Sequence, residues 1–566
     1  MGNGFFITSF LLLMWYSCGV LADADAVGLW PPPVVYPKAY PKIGTWEKNY
    51  LTFWYNFYPR NSELEHQKDW SREEIERDRW ETFQIVFHPH LLPPKALAIS
   101  KIESKHLGWV SVVVEAPLWV DREAMAKITQ DLRKSHKIWE PMVDQRNHWG
   151  RIGLVAERPR ARPTTSASTT ATTPATTTTP THTPPPQKKK FIRNPPGRGE
   201  IKRDKWGMDG EIEQLSSRHT DLLRLSADPS VDFYWYWRST LALRWRDAGK
   251  GVKIYVIDTG LDTQHIEFHD LNVEDWIYAG VKTLEEPGDD YWVNFNWMSN
   301  RALRPMVGHG TKVISKLAGG SIGVAPEADI IVVKMGREGL GFPYYSLLDA
   351  WLKTFDHIKA NIDKRGGKPC IVMATRPLVT SEGHFSSSIT RVFMKALADL
   401  NCYYVSSAGN MKSPPGNPVP PTHYPNLRGH EFENLIVVGG HNMTLHNLYQ
   451  ADYSVQISAL GEQVLTVEAF MEGQRPESWD TMYTLSAGTS YSTPQVAGLL
   501  ATFISQGYED PVGYMMSLTG DPLPGEHPRI AFNGIRYEQW PENFRKGYRE
   551  YEATLPLPRD TSGRGA

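Results

Sequence analysis

Four polar residues stand in settings suited to acyl transfer: Asp258 in VIDTGLD, His309 in GHGT, Asn410 in SSAGN and Ser490 in AGTSYSTPQVAG. Asp258 ends an apolar run, and Thr259 and Gly260 after it allow a sharp turn away from a rigidly held carboxylate. The Asp-Thr-Gly triplet also serves peptidases in which two such carboxylates share one proton. This chain carries the triplet once, which argues against that chemistry. Gly308 and Gly310 flank His309 and leave its imidazole room for a nucleophile on one side and an orienting carboxylate on the other. Pro494 falls in the first turn of a predicted helix, where proline is tolerated, so Ser490 stands at a helix N-terminus. Free N–H groups and the helix dipole there favour a developing oxyanion. Asn410 closes a glycine turn, and its amide can donate to the same oxyanion. Each residue alone has a plainer reading: a structural histidine, a helix-capping serine, a turn asparagine.

The elements that must position these residues follow a repeating pattern. Short apolar runs at Val252–Ile257, Ile330–Met335, Ile371–Ala374, Tyr403–Ser406 and Leu435–Val438 read as strands buried on both faces. Helical patterns at 312–317, Leu347–Ile362 and Ile389–Leu400 lie between them. This alternation predicts an α/β fold with a doubly wound, mostly parallel sheet. Sites in such folds form beyond the carboxyl ends of the strands, where Asp258 and Asn410 fall.

Taken together, the four motifs and the segments IGVAPEADIIVVKM and LIVVGG resemble the subtilisin-like serine protease family, over about residues 225–510. The order Asp, His, Ser separates it from other enzymes with the same triad. The resemblance implies that Ser490 is the nucleophile, His309 the general base, Asp258 its orienting partner and Asn410 an oxyanion donor. It implies a serine endopeptidase acting on protein or peptide substrates, with no cofactor required; a structural calcium is compatible but not indicated. The contrasting reading is a secreted, catalytically weak or inactive protein that keeps the fold to bind a peptide or a surface.

The sequence departs from the family in the strand that pairs with substrate. Ala374, Thr375 and Arg376 stand where a Ser-x-Gly segment is expected, and Pro377 removes a backbone donor. An arginine there predicts a filled or charged pocket and narrow specificity; a one-residue shift of register with Arg376 turned to solvent is the alternative. Lys312, Gln495 and Leu460 replace a histidine, a histidine and a proline common in the family, and none removes a catalytic group.

Outside this region, Phe5–Trp15 is apolar and small residues follow it, which predicts a signal peptide over 1–22 and secretion. Residues 27–160 predict a small α+β region, with strands at 50–58 and 109–115 and helices at 70–83 and 122–132. Its size suits an inhibitory pro-segment, and an independent binding module is the rival. Residues 161–200 predict a disordered, O-glycosylated linker: their Thr/Pro-rich run, ending at Pro186, has basic residues on either side (Arg158, Arg160 and Arg162; Lys188, Lys189 and Lys190). Residues 511–566 read as an irregular extension, and Asn442-Met443-Thr444 is an N-glycosylation sequon. A net charge of −2 gives no pull toward nucleic acid, and no later segment predicts a membrane span. Removal of the signal peptide would take Cys18 and leave Cys370 and Cys402, either bridged or as two buried thiols.

Overall fold

The computed structural model describes residues 50–56, 98–104, 106, 109–117 and 139–144. Between 212 and 554 it describes the chain apart from 216–219, 230, 232–234, 236–241, 281–284, 286, 290–294, 297–300, 303–307, 336–343, 377–378, 381–383, 415–416, 470–481 and 520–527. The predicted signal peptide, the Thr/Pro linker, the two N-terminal helices and Pro377 lie outside the described residues.

The N-terminal part is a four-stranded antiparallel sheet of β1 (Tyr50–Asn56), β2 (Ala98–Ser104), β3 (Trp109–Pro117) and β4 (Trp139–Asp144) in the order β2-β3-β1-β4. After it come β5 (Ile212–Leu215), α1 (Thr220–Leu225), β6 (Ala242–Trp245), β7 (Lys253–Asp258) and β8 (Val273–Tyr278). Then follow α2 (His309–Ala318), β9 (Asp329–Lys334), α3 (Tyr344–Ala360), β10 (Cys370–Ala374), α4 (His384–Asp399) and β11 (Cys402–Ser407). The last set is β12 (Leu435–His441), β13 (Ile457–Leu460), β14 (Val464–Val467), β15 (Tyr483–Ser486), α5 (Thr489–Ser505), α6 (Pro511–Leu518), β16 (Arg529–Ile530) and α7 (Glu542–Glu552).

Eight of these strands form one sheet in the order β16-β13-β12-β11-β10-β7-β9-β8, and every pairing in it is parallel. Strand β7 is buried along its whole length, and its side chains alternate between two cores. Ile254 and Val256 pack in one with Val313, Ile314 and Leu317 of α2 and Val496, Leu499 and Leu500 of α5. Tyr255 and Ile257 pack in the other with Leu348, Trp351 and Phe355 of α3 and Phe393 and Met394 of α4. This is the doubly wound α/β arrangement expected from the apolar runs, because a strand covered on both faces has no polar alternation to show. Each fully buried aliphatic or aromatic side chain contributes about 1.5–3 kcal/mol.

The chain leaves β7 toward β8 and β9 on one side of it and later adds β10 and its successors on the other. The strand order therefore reverses between β7 and β10. The crevice at their carboxyl ends is where a site belongs in such sheets, and Asp258 and Ala374 are the last residues of those two strands.

Cys370 and Cys402 are register partners on the adjacent strands β10 and β11 and form a disulfide, with Cα atoms 4.5 Å apart. Of the two possibilities left by the sequence, the bridged one is observed. The N-terminal sheet meets the larger domain at α3: Ser104, fully buried at the end of β2, donates to Asp356 Oδ1 at 2.6 Å, and the His106 amide donates to the same oxygen at 3.2 Å.

The segment after 510 departs from the irregular extension expected of it. Helix α6 packs on α5, β16 joins the edge of the main sheet, and α7 follows. Trp540 is buried and stacks on Trp235 at 6.0 Å, with Tyr548 edge-on to Trp235 at 5.1 Å. Asn533 joins the two ends of the domain, receiving Trp245 Nε1 on its carbonyl at 2.9 Å and donating its amide to the Leu243 carbonyl at 2.8 Å. The high Tyr, Pro and Arg content disguised this packing, because the segment buries spaced aromatics instead of an aliphatic period.

Candidate active site

Strand β7 delivers Asp258 to the crevice almost wholly buried, and three donors meet it there. His309 Nδ1 lies 2.8 Å from Oδ1, the Thr259 amide donates to Oδ1 at 2.8 Å, and Thr375 Oγ1 donates to Oδ2 at 2.6 Å. Burial alone would raise the carboxyl's pKa, but the His309 charge and these hydrogen bonds outweigh it and hold the group below the usual carboxylate range. A carboxylate anchored this way fixes the ring orientation of His309 and leaves its Nε2 as the working nitrogen.

His309 is the first residue of α2 and is 7% exposed. Its glycine neighbours act through packing. A Cβ on Gly310 would lie 2.2 Å from the Gly260 carbonyl oxygen, so the helix can lie against the Asp258 turn only with glycine there. Two hydroxyls lace the contact in opposite senses. Gly310 N donates to Thr259 Oγ1 at 2.7 Å, and Asp262 N donates to Thr311 Oγ1 at 2.9 Å.

Ser490 is the second residue of α5 and is 9% exposed. The ring of Tyr491 next to it lies 5.8 Å from the His309 ring, in a contact between α5 and α2. Thus the structure brings the start of the serine helix to the histidine that β7 orients. Ahead of the helix, Gly488 has φ +130, a conformation that side-chain-bearing residues rarely adopt. A Cβ there would also lie 3.2 Å from Asn410 Nδ2.

Asn410 follows β11 and is tied to this corner. Its Oδ1 accepts from Thr489 N and from Thr489 Oγ1, each at 2.9 Å. Two donors on one atom fix which end of the amide is oxygen and leave Nδ2 as the free donor end. Among the described residues the Ser490 amide has no hydrogen-bond acceptor. An N–H pair of this kind, from a side-chain amide and the first turn of a helix, suits an oxyanion.

The three residues expected on the substrate strand have different surroundings. Ala374 is fully buried and packs in the α3/α4 core, Thr375 directs its hydroxyl to Asp258, and Arg376 is half-buried. Ser407 Oγ donates to the Thr375 carbonyl at 2.8 Å. The bonds made by the hydroxyls or amides of Thr259, Thr311, Thr375 and Thr489 were not read from the sequence, although Thr375 was placed on the substrate strand and the other three sit inside the four motifs. Asp289, whose Oδ2 accepts from Thr311 N at 2.7 Å, was missed as well. It lies 20 residues before His309, in a stretch with no local signal.

Known proteins are similar to this chain over the same region. The sequence model of the Subtilase family matches residues 249–517. Subtilisin-like protease 1 of Pseudogymnoascus destructans is 26% identical over 261 residues, covering 46% of this chain and 53% of that protein. Alkaline protease 2 of Aspergillus fumigatus is 27% identical over 294 residues, covering 51% of this chain and 52% of that protein. The chain thus spans about half the length of these curated relatives. Among solved structures, a cold adapted subtilisin-like serine proteinase aligns with a TM-score of 0.39 at 19% identity, over 55% of this chain and 97% of that one.

Proposed function

We propose that the chain is a subtilase, whose family model matches residues 249–517, and that it is a secreted serine endopeptidase with Asp258, His309 and Ser490 as its triad. The observation that carries the reading is the His309 imidazole held 2.8 Å from a buried carboxylate, beside the start of the Ser490 helix. In this reading Ser490 Oγ attacks the scissile carbonyl while His309 Nε2 takes its proton. The oxyanion that forms is received by Asn410 Nδ2 and the Ser490 amide. His309 then returns the proton to the leaving amine, and an acyl group remains on Ser490. Water, deprotonated by His309, adds to that ester and releases the acid. Asp258 stays ionised throughout and stabilises the imidazolium.

Protein or peptide is the substrate class. The backbone at 374–376, beside the acid, is the edge on which an extended peptide would lie. Ala374 and Thr375 direct their side chains to the core and to Asp258, so of the three only Arg376 is left to shape the pocket. The apolar N-terminus supports secretion, as does a disulfide between neighbouring strands. No helix among the described residues is long and apolar enough to cross a membrane. The contact of Ser104 and His106 with Asp356 supports the N-terminal sheet as an inhibitory pro-segment docked on α3. Adding residues 27–160 in trans is expected to inhibit the protease, and breaking the contact with Asp356→Ala is expected to weaken that inhibition. The sequon at Asn442 lies in a turn in which Asn442 Oδ1 accepts from Thr444 Oγ1 at 2.8 Å and Thr444 is exposed. A mobility shift on amidase deglycosylation, absent in Asn442→Gln, would show that it carries a glycan.

Labelling with a fluorophosphonate tests the catalytic reading. The Ser490 Oγ–P bond forms as the P–F bond breaks, fluoride leaves, and His309 takes the hydroxyl proton. Labelling of the wild type and none of Ser490→Ala is the expected result. A folded wild type that has been freed of residues 27–160 and is still not labelled overturns it in favour of a peptide-binding protein.

A further inference from the structure

Asp289 has no part in the chemistry above, yet it is built into the histidine helix. Its Oδ2 accepts from the Thr311 amide at 2.7 Å and from the Thr311 hydroxyl. Its Oδ1 is buried, and among the described residues no hydrogen bond of ordinary geometry reaches it. The backbone at Asp289 bridges Gly260, and Leu261 N donates to the Gly288 carbonyl at 3.2 Å. One short segment is therefore fastened to the turn that carries Asp258 by its backbone, and to the helix that carries His309 by its carboxylate.

The helix supplies the reason for such a brace. Its N-cap is Gly308, which has no side chain with which to satisfy the first-turn amides. Thr259 takes the Gly310 amide and Asp289 the Thr311 amide. Because Asp289 accepts the Thr311 hydroxyl proton, it also turns the lone pairs of that oxygen toward Asp262 N, 2.9 Å away. Burial pushes the Asp289 carboxyl up to about 6, with the Asp258 charge acting in the same direction, so the group is an ionised acceptor at neutral pH. An anion at a helix N-terminus is favourable in its own right.

We propose that Asp289 is a positioning residue of the active site, a remote cap that sets His309 against Asp258 by joining the histidine helix to the acid-bearing turn. The proposal rests on the serine-protease reading for its effect on rate, but not for its effect on the His309–Asp258 geometry.

The test compares Asp289→Ala with Asp289→Asn in the full chain. Asparagine keeps an acceptor in the place of Oδ2 and puts its amide nitrogen where Oδ1 lies; alanine removes the acceptor. One readout is fluorophosphonate acylation, resolved into a maximal rate and a half-saturating concentration. Alanine is expected to lower the maximal rate by about 10- to 100-fold, the scale of a small misplacement at a catalytic group. It should leave the half-saturating concentration within about twofold, and asparagine should restore the rate to within about threefold of wild type. The second readout needs no turnover: the downfield proton resonance of the imidazole N–H shared between His309 and Asp258, expected in wild type and Asn and shifted or lost in Ala. If Asp289→Ala does not fold, Thr311→Val removes the hydroxyl alone and should move the same resonance. An unchanged rate and resonance in Ala, or equal impairment in Ala and Asn, overturns the proposal. A wild type that is not acylated even after residues 27–160 are cut away, but whose resonance responds as stated, would sink the protease reading and leave the positioning role standing.

Discussion

Helices α2 and α5 both begin at a glycine N-cap without a side-chain capping bond, and both bring a polar residue in their first turn to the same crevice. They differ in what becomes of their first amides. At α2 the amides after His309 are taken up by Thr259 and Asp289. At α5 Asn410 takes only the Thr489 amide, and the Ser490 amide keeps no acceptor among the described residues. In the reaction proposed above, the closed helix start holds a ring still, and the open one offers its dipole and amide to a charge that exists only during reaction.

The largest effects should come from opening or emptying the serine end. Ser490→Ala is expected to lower peptide hydrolysis by on the order of 10⁴-fold or more and to abolish acylation; retained acylation would move the nucleophile elsewhere. Asn410→Ala should cost about 100- to 1,000-fold in kcat with little change in KM. Thr489→Val, which removes one of the two bonds orienting that amide, should cost about tenfold, as expected for a hydrogen bond worth roughly 1.5 kcal/mol. Steady-state kinetics with a peptide substrate checks both, and a raised KM at unchanged kcat would point to ground-state binding instead.

At the histidine end the comparison predicts damage through packing. Gly310→Ala puts a methyl group against the Gly260 carbonyl and should destabilise the domain by about 1–3 kcal/mol in denaturant unfolding. A variant of wild-type stability would show that the two turns have room to part. The smallest effect concerns the acid. Asp258 is held below its ordinary pKa, so it contributes stability that is present above the unfolded value of about 3.9 and lost as pH falls through the folded one. Thr375→Val removes one of the bonds that depress it. The loss of stability should then begin at higher pH, seen as an upward shift of the acid-unfolding midpoint; a shift downward would contradict the assigned bond.

Much of this could be read from the sequence because parallel strands announce themselves as unbroken apolar runs. The runs at 252–257 and 371–374 place Asp258 and Ala374 at strand ends by their pattern alone. Four short motifs carried the polar groups. What sequence could not give was their bracing, since Asp289 reaches Thr311 across 22 positions and Thr375 reaches Asp258 across 117. Strand β8 was hidden for another reason: at the sheet edge, with exposed Glu274 and Asp275 in its middle, it has no apolar run to show.

The closing of the domain through Asn533 also sets an order in time. Chains are made from the N-terminus at roughly 5–20 residues per second, so Ser490 leaves the ribosome before the segment that completes its domain. Until residues 529–533 follow, the sheet has an open edge at β13, and the Trp245 indole and the Leu243 carbonyl lack the partners they have in the finished fold. The nascent chain thus holds all the residues assigned to the reaction before it holds the clasp that closes the domain around them. A message truncated shortly after residue 505 would encode those residues without that clasp.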